Sequence, residues 1–368
     1  MPDLAVMEEA VRKYNLLLHT SLAAPVTPGD TDALRAAVDH TTGDLTVFVL
    51  IADLRDTPHA TGWALVQRRV ADLYAIAMGR ALRNKTGTNV DIVLLDFCAY
   101  TADDMDHYKH SPTLVAAADS TAQTAATPTH CPAWWPAEMR SAALAVDPRV
   151  SVALTPNPAL VSRSPIPWTV YSHVAVGGTF DHLHFGHKIL LTATALAATK
   201  RIVCGISADA LLENKRYAEF LEPYRTRELN VLLFLRKVRK DLIVELVPIS
   251  DPYGPTATDS TIGALVVSQE TLPASAALND RRAENGLASM CLMPVDLITT
   301  SSSSARNSRA LDEKHDQSGC DGNGSGEDAD NSDDNDGASV STENTALKIS
   351  STAIRATLAA KQQRSSGQ

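Results

Sequence analysis

The sequence predicts an α/β protein, with a parallel five-stranded sheet in the C-terminal half and a smaller α/β domain before it. Three observations carry this. Residues 171–190 run from an apolar stretch through Gly177-Gly178 into helical spacing. From 201 to 295, short apolar runs alternate with helix-like segments, the pattern of a parallel sheet joined by right-handed crossovers. A separate alternation of strand and helix occupies 1–115.

In chain order, residues 3–18 read as an amphipathic helix, with Leu4, Met7, Val11, Tyr14 and Leu18 on one stripe, broken by Pro25 and Pro28. A strand follows at Leu45–Ile51, then a long helix over 62–83 with Trp63, Val66, Val70, Leu73, Ala77 and Leu82 inward, then a strand at Val90–Phe97. This small α/β domain, 1–115, has no phosphate loop and no assigned role. Asp103, Asp104, Asp106, His107 and His110 lack a bounded ligand pattern and read as a solvated loop or helix end, so no metal site is expected. Residues 116–167, rich in Ala, Thr and Pro, form a linker whose Trp134-Trp135-Pro136 docks on a domain.

Beyond residue 171 the strands fall at Val174–Val176, Arg201–Ser207, Leu242–Ile249, Ala264–Ser268 and Ser289–Val295. Helices follow the first, start at Pro223, and cover 274–285, which makes the half Rossmann-like. Segment 301–345 holds −8 of the net charge of −10 and has very few large apolar residues, so it reads as a disordered acidic insertion. The remainder is nearly neutral, which argues against a nucleic-acid partner. No apolar run approaches the ~20 residues that span a bilayer, and the N-terminus lacks the apolar core of a cleavable signal. Five scattered cysteines (Cys98, Cys131, Cys204, Cys291 and Cys320) read as reduced thiols of a cytoplasmic protein.

The chemistry concentrates at 171–190. A strand that ends in glycines and turns into a helix lets the backbone approach an anion, and the free N–H groups of the first helical turn face it. His184 and His187, three apart, can point at one phosphate. That spacing alone also fits surface or capping histidines. No Gly-x-x-x-x-Gly-Lys-Ser/Thr loop occurs in the chain.

Taken in register, Gly177-Gly178-Thr179-Phe180-Asp181, His184, Gly186 and His187 resemble the signature of the nucleotidyltransferase superfamily. Together with Asp251-Pro252-Tyr253-Gly254-Pro255, Val266–Thr271 and Ile349-Ser350-Ser351-Thr352 with Arg355, they resemble the eukaryotic type of phosphopantetheine adenylyltransferase, the adenylyltransferase domain of coenzyme A synthase. The resemblance covers about 168–300 and 346–363, within a nucleotidyltransferase domain of 168–300 and 346–368, with the acidic segment between them.

It implies adenylyl transfer from ATP to 4′-phosphopantetheine, giving 3′-dephospho-coenzyme A and pyrophosphate. Thr179 and Lys215 would hold the incoming phosphate, with Arg216 as the alternative to Lys215, and His187 would donate to the α-phosphate. Gly177, Gly178, Phe180, His184 and Gly186 would line the nucleotide. Ser350, Ser351, Thr352 and Arg355 would bind its outer phosphates, with Arg282 as a further candidate. Mg2+ would arrive on ATP. With no Walker loop, dephospho-coenzyme A kinase activity is not expected, and contact with a separate kinase is. The alternatives are another nucleotidyltransferase, for phosphocholine, phosphoethanolamine or a nicotinamide nucleotide, or a non-catalytic scaffold.

Overall fold

The computed structural model describes residues 13–84, 87–100, 104, 113–115, 168–275, 277–295 and 350–366. The linker, its tryptophans, most of the 103–110 cluster and the acidic segment lie outside them.

The first sheet contains β1 (Lys13–Thr20), β2 (Asp44–Ile51), β3 (Asn89–Leu94) and β4 (Thr113–Val115), all parallel in the order β3-β2-β1-β4. Its helices are α1 (Pro28–Asp39) and α2 (His59–Asn84). The helix expected over 3–18 is corrected here, because residues 13–18 lie in β1. Leu16, Leu17 and Leu18 are all fully buried. Leu16 and Leu18 join one core cluster and Leu17 another, so the run alternates between two covered faces. A central parallel strand is apolar on both sides, and its continuous run mimics a helical stripe.

The second sheet contains β5 (Tyr171–Gly178), β6 (Ala198–Ser207), β7 (Ile243–Ile249), β8 (Ala264–Ser268) and β9 (Cys291–Val295). It is parallel throughout, in the order β7-β6-β5-β8-β9. The five-stranded Rossmann-like expectation therefore holds. Helices α3 (Phe185–Ala197), α4 (Tyr224–Val238) and α5 (Leu278–Glu284) complete the crossovers. The helix expected over 274–285 is shorter, with a 3-10 turn at Pro273–Ser275 ahead of α5. A final helix, α6 (Ser351–Ser366), meets the 3-10 turn at Ala218–Phe220 and the turn after β5.

In each sheet the strand order reverses beside the first strand, where open α/β sheets form their ligand crevice. The two crevices differ. After β1, the Ser21 hydroxyl and the amides of Leu22 and Ala23 all donate to Asp53, at 2.6, 2.7 and 2.9 Å. Burial pushes the Asp53 pKa up, but these hydrogen bonds more than offset it and hold it below the usual carboxylate value. The first sheet's anion nest is filled by its own carboxylate, whereas the turn after β5 is left open.

Aromatic contacts join α2 and the turn after β3 to the segment before β5. Trp168 packs between Trp63 and Phe97, with centroids 5.9 and 5.5 Å away, and its indole donates to the Leu196 carbonyl.

Candidate active site

The site begins where β5 runs out of side chains. After Gly177 and Gly178 come Thr179 and a turn in which Phe180 and His182 have φ of 51° and 46°. Each residue in that left-handed region costs ~1–2 kcal/mol, so the turn persists only because its surroundings hold it. The His182 amide donates to the Glu222 carboxylate at 2.7 Å, and a ring nitrogen lies 2.8 Å from the Phe220 carbonyl. Arg227, fully buried, donates to the carbonyls of Thr179, Ser207 and Glu222 and so ties the ends of β5 and β6 to the start of α4. The Thr179 hydroxyl makes no hydrogen bond to a described residue, which leaves it available to a ligand.

His184 caps α3 with an extended backbone and no side-chain cap bond. The first helical bond runs from Lys188 to the His184 carbonyl, so the amides of Phe185, Gly186 and His187 have no partner among the described residues. The His184 and His187 rings stack, with centroids 3.8 Å apart and planes at 17°. Phe180 meets His187 edge-on at 5.3 Å. Gly186 makes the stacking possible, since a Cβ there would lie 3.2 Å from the His184 ring.

Burial pushes the His184 imidazole down to about 4, with Asp181 opposing the shift and His182 adding to it. Burial, then the neighbouring His184, holds His187 well below its ordinary value of 6.5. Both rings are therefore neutral at neutral pH, and each carries one N–H to donate. The buried Nδ1 atoms of both have no hydrogen-bond partner among the described residues.

The start of α6 meets this cluster. Ser350 accepts from the Ala353 amide and caps the helix. The Ser351 hydroxyl donates to the Asp181 carbonyl and lies 3.4 Å from His184 Nε2. Two helix N-termini thus converge, and their partial positive ends add.

Two expected phosphate ligands are engaged by the protein itself. Arg355 is buried and donates to Asp181 at 2.6 Å, to the Arg216 carbonyl and to Thr352. It tethers α6 to the turn. Arg282, also buried, donates to the carbonyls of Ala288, Thr256 and Asp259, and staples the loop before β8 to α5. Both were singled out as cations near a signature, and sequence alone does not separate a structural guanidinium from a ligand-facing one.

Lys215 is exposed and its ammonium has no partner among the described residues. Arg216 stacks its guanidinium on Tyr217 at 5.7 Å. The Asp251–Pro255 loop is held by its own aspartate. Asp251 accepts from the amides of Tyr253 and Gly254, and a Cβ on Gly254 would lie 2.6 Å from Ile249. An open cleft beside this loop is lined by Asp251, Asp280 and Glu284, which disfavours a polyanion, and neither histidine borders it. Asp181, His182 and Glu222 bring ligand atoms within 4.8 Å of one another, but protein donors already engage both Asp181 oxygens and Glu222 Oε2.

A strained turn, two neutral histidines and two helix starts form a site that could align anions and stabilise charge developing on them. The cytidylyltransferase-like family model matches residues 175–357. The phosphopantetheine adenylyltransferase of Saccharomyces cerevisiae is 44% identical over 124 residues, 34% of this chain and 41% of that protein. Those of Methanopyrus kandleri and Methanothermobacter thermautotrophicus are 33% and 36% identical; the alignments take in 36% and 35% of this chain and 83% and 75% of theirs. The chain belongs to the cytidylyltransferase-like family of nucleotidyltransferases. The match spans about two-fifths of the yeast relative's length.

Proposed function

We propose that the chain transfers the adenylyl group of ATP to 4′-phosphopantetheine, as the phosphopantetheine adenylyltransferases it resembles are named for doing. The observation that carries this is the neutral, stacked His184–His187 pair at an open helix start. In the reaction, a phosphate oxygen of 4′-phosphopantetheine forms a bond to the α-phosphorus, the α–β bridging bond breaks, and pyrophosphate leaves with the electron pair. The nucleophile is already anionic, so no strong base is needed.

His187 donates to the α-phosphate as its charge grows. The amides of Phe185, Gly186 and His187, together with His184, hold the nucleotide phosphates, and Gly177, Gly178 and Phe180 shape the approach. Thr179 and Lys215 hold the incoming phosphate. Ser351 and Thr352 face the β- and γ-phosphates, while Ser350 and Arg355 keep α6 in place. Mg2+ enters with ATP. The thiols of Cys98, Cys204 and Cys291 are free, which suits a cytoplasmic enzyme; among the described residues no helix is long and apolar enough to cross a membrane. A separate dephospho-coenzyme A kinase would take the product on.

The test is pyrophosphate release from ATP with 4′-phosphopantetheine, set against CTP with phosphocholine and ATP with nicotinamide mononucleotide. Release with the first pair alone is expected, yielding a product without the 3′-phosphate. Release with another pair instead would reassign the substrate, and finished coenzyme A would reveal a kinase site.

A further inference from the structure

The N-terminal half reaches the catalytic helix through two side chains of its first turn. His184 and His187 form one i,i+3 pair. Phe185 and Lys188, one residue further on, form the adjacent pair and face the first sheet. Lys188 is 3% exposed and donates to the Asn89 side chain at 2.5 Å, the Val90 carbonyl at 2.8 Å and Asp91 at 2.7 Å. Three ammonium protons meet three acceptors, all on β3. The second Asp91 oxygen accepts from Lys237 of α4 at 2.6 Å. Tyr74 of α2 packs on Phe185 with centroids 5.5 Å apart, and its hydroxyl accepts from the Ile92 amide.

β3 is an edge of the first sheet, and a parallel edge strand presents alternate N–H and C=O groups outward. Here the outward groups of Val90 and Ile92 meet Lys188 and Tyr74. An apolar contact would have covered this seam without desolvating a lysine and an aspartate, which is costly. A saturated ammonium fixes position and angle, which an apolar contact does not. It does so one residue from His187.

We propose that the N-terminal half positions the catalytic helix: Asp91 through Lys188, and Tyr74 through Phe185, set the angle at which α3 presents His184 and His187. This gives residues 13–94 a part in the reaction without any contact with substrate. It rests on the reading of the histidine site as the catalytic one.

The test uses the full chain with Lys188→Met. Methionine follows the lysine stem, and Asp91 keeps Lys237, so no lone charge is buried. Misplacing a reacting group by a fraction of an ångström is expected to lower kcat ~10-fold or more, with both KM values within about threefold and thermal unfolding still cooperative. A folded variant whose kcat stays within twofold of the parent overturns the proposal. Should that variant fail to fold, Tyr74→Phe takes its place, with a smaller fall in kcat expected and an unchanged kcat overturning. Amide exchange separates this proposal from the functional reading. If the parent releases no pyrophosphate with any substrate pair, the functional reading fails. The positioning claim then stands or falls on whether the 185–190 amides exchange faster in Lys188→Met while those of β5 and β6 do not.

Discussion

Asp181 and Arg355, separated by 174 positions, meet at 2.6 Å with both side chains buried. Asp181 belongs to the turn after β5, and Arg355 lies in the second turn of α6. This ion pair brings the chain back to the turn after β5, beside His184, after the long segment between β9 and α6.

Breaking it from one side strands a buried charge, which typically costs ~3–5 kcal/mol. Asp181→Asn is expected to lower the thermal midpoint by at least ~6 °C, at roughly 2–4 °C per kcal/mol for a domain of this size. It should also raise the KM for ATP, since Ser351 and Thr352 ride on the same helix. Differential scanning calorimetry with steady-state kinetics checks both; an unchanged midpoint would refute the tether.

Arg227 should behave differently. Arg227→Met leaves the carbonyls of Thr179, Ser207 and Glu222 without their donor, the Ser207 carbonyl in a buried setting and the other two partly buried. At ~1–3 kcal/mol for each unsatisfied group, the variant should unfold well below the parent in urea. A midpoint within experimental error of the parent would mean that water or a neighbour replaces the guanidinium.

The two histidines make stability depend on pH. Their folded pKa values lie below 6.5, at about 4 for His184 and well below the ordinary value for His187. Between about pH 4 and 6.5 the unfolded chain therefore binds more protons. Stability is full above the unfolded value and is lost as pH falls, by up to ~1.4 kcal/mol per unit and per histidine. Urea unfolding at pH 5 and pH 7 is expected to show this loss, and the His184→Asn, His187→Asn double variant to show much less of it. Equal losses in parent and variant would assign the acid sensitivity elsewhere.

The acidic segment 301–345 leads into Ser350, whose helix forms part of the site. Its charge of −8 should hinder capture of two polyanions, with a reach of ~8 Å at physiological ionic strength. Replacing it by a short Gly/Ser linker is expected to lower the KM for ATP in dilute buffer and to change little at 0.15 M salt. An effect that grows with added salt would contradict an electrostatic origin.

Much of this was legible in the sequence because local and global signals agree in the second half. Gly177-Gly178, the His184–His187 spacing and the five apolar runs each state one element, and the sheet follows. The first half was harder. Leu16–Leu18 is apolar on both faces of a central strand, and nothing local distinguishes that from one face of a helix. Arg282 and Arg355 were legible as cations beside signatures, but their direction depends on carbonyls and a carboxylate brought in by the fold. Lys188 carried no signal as a lysine next to a motif. Its partners Asn89 and Asp91 lie 99 and 97 positions away, a separation that only the folded chain closes.

The central claim is that His187 stabilises charge on the α-phosphate as a neutral donor. It is tested most directly by single-turnover pyrophosphate release in His187→Ala with saturating ATP and 4′-phosphopantetheine. The account predicts a fall in the chemical rate of ~10²-fold or more, with folding nearly unchanged. A folded variant that turns over at a near-normal rate would contradict it.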